Sequence, residues 1–199
     1  MSALAALAVF SGLSLNLMIQ LGIGIEDFGN DPDRPARFVL FQWAALFFSV
    51  LILWCLFAYI LSLLSLGFFE YFLLFPLTAG AGKGFEALFL RVFPDEAKKP
   101  GLFSGGSSNI GAFNGLTITA LVLTLRLAGS FAAALVLSLS FSLGGIFSIF
   151  ILKAINRRSS LETVPKTLRG IPLTLISMGL LGLIFSALSV VFLRVLAVK

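Results

Sequence analysis

S-G-G-S-S-N-I-G-A-F-N-G, residues 104–115, is a run of small and polar residues between a charged loop (94–100) and an apolar segment. Its first six residues read S-G-x-S-x-N. The pattern occurs once more, as S-G-L-S-L-N at residues 11–16. An offset of 93 links the two copies and also places Gly22 opposite Gly115. Each copy lies in the first helix of its half of the chain. That placement makes the pair a candidate internal repeat.

Composition sets the environment in which such a repeat would fold. The chain has 199 residues, of which 59% are hydrophobic and 12% charged, and its mean hydropathy is +1.07. Soluble domains average about 45–50% apolar with about a quarter charged. An integral membrane protein is therefore expected. There is one cysteine and no histidine. A single cysteine closes no internal disulfide. Without histidine the commonest switchable proton carrier and metal ligand is missing. The net charge of +5 is explained by basic loops facing the cytoplasm, and no nucleic-acid partner is expected.

About 20 apolar residues cross the hydrocarbon core, and the apolar runs predict six spans: 1–24, 38–62, 66–92, 109–127, 129–152 and 170–196. The first lacks the positive start of a signal peptide, since no Lys or Arg precedes Arg34. It reads as a retained helix interrupted by Asn16, Gln20, Gly22 and Gly24. The third carries Glu70, Pro76, the run A-G-A-G-K-G at 79–84, and Glu86. A basic loop is expected from Lys153 to Arg169. Ten Lys and Arg fall in the loops after spans one, three and five, against Arg126, Arg194 and Lys199 on the other side. The positive-inside rule then puts both termini outside the cytoplasm in a bacterial-type inner membrane.

The offset of 93 also lays residues 38–62 onto 131–155, the second span onto the fifth. The expected fold is one all-α, polytopic domain of two three-helix repeats, about 1–97 and 98–199, with helices 1 and 4 interrupted. Three spans per repeat is an odd number, so the second repeat is inverted relative to the first. Such folds place their working site where interrupted helices of the two halves meet near the bilayer midplane.

Four amides lie at those interruptions: Asn16, Gln20, Asn109 and Asn114. Amides in a bilayer need partners inside the protein. They could line a polar path, or bond helix to helix and hold the repeats together; the second reading is favoured. Lys83 and Glu86 are three residues apart, neighbours on one helix face, and with Glu70 form the intramembrane charges. Such charges point to function by default, yet a paired, structural role is favoured for Lys83 and Glu86. Residues 79–84 lack the G-x-x-x-x-G-K-[ST] spacing of a phosphate loop. Cys55 reads as a small buried hydrophobe. No catalytic constellation and no metal-ligand spacing is present, and the chain is not expected to be catalytic alone.

The segments together resemble the six-helix membrane subunits of the Rnf electron-transport complex and the related sodium-pumping NADH:quinone reductase, the Rnf/Nqr family. V-P-K-T-L-R-G-I-P-L-T-L-I-S-M-G-L-L (164–181) is similar to the family's approach to its last helix. F-E-A-L-F-L-R (85–91) resembles the end of its third, and Q-L-G-I-G (20–24) and S-S-N-I-G (107–111) fall where the family keeps cysteines. The resemblance implies a pair of inverted subunits that share a two-iron two-sulfur cluster. Here those cysteine positions correspond to Gly24 and Ile110, and neither residue replaces a thiolate. The resemblance therefore carries over the fold without the cluster: no cofactor bound by this chain, and flavin and iron–sulfur groups on its partners. The expected function is that of a membrane subunit in an electron-transport, ion-translocating complex. A small inverted-repeat transporter or channel, and a structural scaffold, are the alternatives.

Overall fold

The computed structural model describes residues 2–21, 36–61, 69–94, 115–159 and 171–197, and among these every element is helical. In chain order they are α1 (Ser2–Val9), a π-helical turn (Phe10–Ser14), α2 (Leu17–Leu21), α3 (Ala36–Cys55) with a second π turn (Leu56–Leu61), α4 (Glu70–Val92), α5 (Gly115–Leu127), α6 (Phe131–Ser159) and α7 (Ile171–Ala197). Helix is the expected solution for such apolar runs, because lipid offers a backbone N–H or C=O no partner.

Among the described residues five helical stretches are long and apolar enough to cross a membrane: Ala3–Gln20, Val39–Leu61, Phe72–Val92, Phe131–Ile155 and Pro172–Val195. The chain is thus a multi-pass membrane protein by length and composition. Where the fourth span is expected, the described residues form a shorter apolar helix, α5, whose 13 residues reach about 20 Å at about 1.5 Å per residue. Residues 104–114, where that span would begin, lie outside the described residues, as do Asn109, Asn114, Gly24 and Ile110.

Hydroxyls along the spans donate to carbonyls one turn back. Thr78 Oγ1 reaches Leu74 O at 2.8 Å, Thr119 Oγ1 reaches Gly115 O at 2.7 Å and Thr124 Oγ1 reaches Ala120 O at 2.7 Å. This pattern satisfies polar groups without leaving the helix. Helix α4 runs unbroken through Pro76 and the glycine-rich run 79–84. One local expectation is corrected: helix α6 continues to Ser159, through Lys153, Arg157 and Arg158, where the sequence predicts a loop. Its basic last turn faces the negative end of the helix dipole, a favourable position for cations.

The chain packs as two compact units, Met1–Pro32 with Leu139–Lys199, and Asp33–Ser138. In the first, α1, the π turn and α2 pack along α7. Its core includes Met18, Ile19, Phe141, Leu152, Met178, Leu181 and Phe185. In the second, α3 packs against α4 and α5, and α4 also meets α5. Phe41, Phe85, Phe89 and Phe93 close around Ala45 there. The Phe41 and Phe89 rings meet edge to face at 5.0 Å, and Phe89 and Phe93 lie 5.3 Å apart.

Candidate functional site

The first span breaks where the sequence placed its amide. Leu15 N–H reaches back five residues to Phe10 O at 2.8 Å, which closes the π turn, and Gln20 N–H bonds Asn16 O at 2.8 Å as α2 resumes. Wide turns of this kind are frequent at functional positions. Between the two segments Asn16 is 2% exposed. Its Oδ1 accepts from Ile19 N at 3.3 Å, an N-cap that satisfies one of the amides a new helix leaves open.

The other end of the same side chain leaves its helix. Asn16 Nδ2 donates to Gly144 O at 2.9 Å and to Ser148 Oγ at 2.8 Å, both on α6, with Gly12 O at 3.3 Å as a third acceptor. Ser148 in turn donates to Gly144 O at 2.8 Å. The bonds are possible because the two helices come very close. A Cβ built on Gly144 would collide with Gly12 O, and one on Gly12 would sit 3.4 Å from Ser140 O. Small residues at a crossing, with amide and hydroxyl groups bonding across it, are the usual glue of membrane helices. The motif S-G-x-S-x-N thus divides the work. Ser11 donates to Leu7 O at 2.8 Å, Gly12 permits the approach, and Asn16 ties the crossing together.

This joint is neutral and largely satisfied from within. The two Nδ2 hydrogens of Asn16 face three acceptors, so the amide has no hydrogen left for a guest. One buried hydroxyl nearby in sequence, Ser142 Oγ, has no hydrogen-bond partner among the described residues. Gln20, the other described residue of the four candidate amides, is exposed, and its Nε2 comes within 3.7 Å of a Cβ built on Gly182 in α7. Sequence reasoning missed Gly144 and Ser148. Their signal was present: Ser140, Gly144 and Ser148 recur every fourth residue and form one stripe of small residues on α6.

The charged candidates lie in the other unit. Lys83 is exposed and Glu86 half-buried on α4. Among the described residues no ion pair joins them. Glu70 is the first residue of the same helix. Cys55, the last residue of α3, is a half-buried free thiol. Among the described residues no three or more His, Cys, Asp or Glu gather in one place. The chemistry of this donor set does not fit an iron–sulfur cluster, which takes thiolates. No protein-family model matches the chain, and no curated protein matches it.

Proposed function

We propose that the chain is a membrane subunit of an Rnf/Nqr-like electron-transport, ion-translocating complex that does not itself hold an iron–sulfur cluster. In this reading it has six spans arranged as two inverted three-helix repeats and sits in a bacterial-type inner membrane with both termini outside the cytoplasm. A homologous inverted subunit and flavin- or cluster-bearing subunits are its partners. The last-helix motif at 164–181 supports the family reading.

One structural observation supports the repeat. The two packed units cut across the two sequence halves: the first span, from the first half, packs with α7 and the greater part of α6, while α5, from the second half, packs with α3 and α4. Each half thus lends its first helix to the later helices of the other, which is what two related halves exchanging one element would give.

A scaffold role is favoured by a separate observation, the self-satisfied joint at Asn16, which has the character of a structural fastening. The deciding experiment is a mild-detergent pull-down of the tagged protein from its native membrane, with partners identified by mass spectrometry and iron and flavin assayed on the same sample. Redox subunits together with iron or flavin support the complex. Recovery alone, or only as a homodimer free of iron and flavin, overturns it, and substrate-dependent flux in liposomes then separates transporter from scaffold.

A further inference from the structure

Lys83 sits at the middle of a span. It lies eleven residues after Phe72 and nine before Val92 in the stretch Phe72–Val92. Nine residues are about 14 Å of helix, farther than a lysine stem reaches toward the headgroups by snorkelling. The side chain is exposed, and among the described residues it has neither a hydrogen bond nor an ion pair. A lone lysine facing lipid at that depth is unfavourable even on the mildest scale. Its surroundings are also unusual for a lipid-facing surface. Pro76, Gly80, Gly84 and Ala87 are exposed on the same side of α4, and a Cβ built on Gly80 or Gly84 meets nothing within 4 Å. This span is the least apolar and the least buried of the five.

Among the described residues no carboxylate neutralises this charge. Among the described helices only Glu70 and Glu86 are acidic, and both belong to α4. The remaining Asp and Glu fall at 26–33, 95–96 and 162, between the spans. Glu70 is thirteen residues away, about 20 Å along the axis. Glu86 lies about 60° round the helix from Lys83, away from the glycines. A second copy does not supply the missing group either. A parallel two-fold pairing through Gly80 and Gly84 turns Lys83 toward the opposite flank of the partner's α4, which at that depth carries leucines equivalent to Leu77 and Leu88, while the acid on that flank, the equivalent of Glu70, is about 20 Å away along the axis.

We propose that the outward face of α4 around Lys83 docks a transmembrane helix of a different protein, one that carries an Asp or Glu at mid-depth. Lys83 supplies the charge that selects the partner, and Gly80 and Gly84 let the two backbones approach. Partner choice by a desolvated charge pair follows the general rule for interface specificity. The inference rests only on α4 spanning the membrane and is independent of any redox role.

The test places a photo-crosslinking amino acid at Ala87, one turn from Lys83, in cells carrying the full chain, with a control at Leu180 on the exposed face of α7. The expected result is an adduct from position 87, absent from position 180, with one membrane protein that has an acidic residue inside a span. Lys83→Met should lower its yield at least tenfold, and Lys83→Glu combined with acid-to-lysine exchange in the partner should restore it. Protein level and monodispersity in detergent are followed for each variant. The unsubstituted chain already identifies the partner if Lys83→Met fails to accumulate. An adduct only with lipid, only with a second copy, or only with a protein lacking an intramembrane acid overturns the proposal. So does an adduct from a well-folded Lys83→Met chain at undiminished yield. The iron and flavin assay above is unaffected by either outcome, so the two readings fail separately.

Discussion

The two packed units solve one problem with different materials. Met1–Pro32 with Leu139–Lys199 is joined by a buried amide, a hydroxyl and two glycines whose backbones nearly touch. Asp33–Ser138 is joined by phenylalanines, with Phe89 fully buried against Phe41 and Phe93. In water both would gain from excluding solvent. In lipid that drive is absent between helices, and what remains is shape and hydrogen bonding. The first unit depends on a few atoms in fixed places, and the second spreads its attraction over broad ring surfaces.

The largest effect expected from breaking this contrast is in the aromatic unit. Phe89→Ala removes the ring at the centre of the cluster and leaves a cavity, a loss of about 3 kcal/mol. Both tryptophans, Trp43 and Trp54, belong to this unit, as does Cys55. Tryptophan emission and maleimide labelling of Cys55 in mixed micelles should therefore both report the loss. Unchanged emission and labelling across a denaturant titration would show that the cluster does not hold α3 to α4.

Gly144→Ala comes next, at about 1–3 kcal/mol. The added methyl meets the Gly12 carbonyl, a backbone atom that cannot swing aside. Its signature is selective: a reporter cysteine at Ser140 or Ser148 in a Cys55→Ala background should label faster, while tryptophan emission stays as in the parent. A loss of both signals together would mean that the two units unfold as one, and the contrast would then be one of chemistry without separate stability.

How much of this could be read in advance follows from how far each signal reaches. The apolar runs mark the helices because burial in lipid is decided residue by residue. Asn16 was legible as a residue in need of partners, since an amide in a hydrocarbon core always is. Which partners was not legible: Gly144 and Ser148 lie 128 and 132 residues away, and nothing local to Asn16 names them. The end of α6 was misplaced for a different reason. Apolar sequence stops near Leu152, but a helix stops where its backbone bonds stop, and Arg157 and Arg158 favour its continuation. Lys83 stood out from the sequence as a charge in a span, yet the side of α4 it occupies follows only from the packing of Leu74, Thr78 and Phe89 on the opposite face.

Asn16→Ala sharpens the comparison further. Two hydrogen bonds to α6 and the cap on Ile19 are lost, and interhelical bonds in membranes are worth roughly 0.6–2 kcal/mol each. Ser148 still donates to Gly144 O, so one acceptor stays satisfied and the total should fall at roughly 1–2 kcal/mol. A reporter cysteine at Ser140, which leaves Ser148 in place, reads it. If the variant retains parental stability but loses co-purifying subunits or flux, Asn16 has a role in the working complex that its hydrogen bonds do not account for.

The smallest effect separates hydrogen bonding from close approach within the first unit. Gly12→Ala places its methyl 3.4 Å from Ser140 O and 3.7 Å from Ser140 Cβ, a tight contact that a shift of a few tenths of an ångström relieves. Gly12 is also in helical geometry, where alanine is the better helix former by about 0.8–1.0 kcal/mol. The two terms nearly cancel, and the net change should stay within about 0.5 kcal/mol. Gly12 and Gly144 face each other at one crossing, yet only one of them has the partner's carbonyl where its Cβ would be. Equal losses at the two positions would show that any side chain is excluded from the crossing. A loss confined to Gly144 would trace the exclusion to the single carbonyl of Gly12, and with it the reason the amide of Asn16 can reach α6 at all.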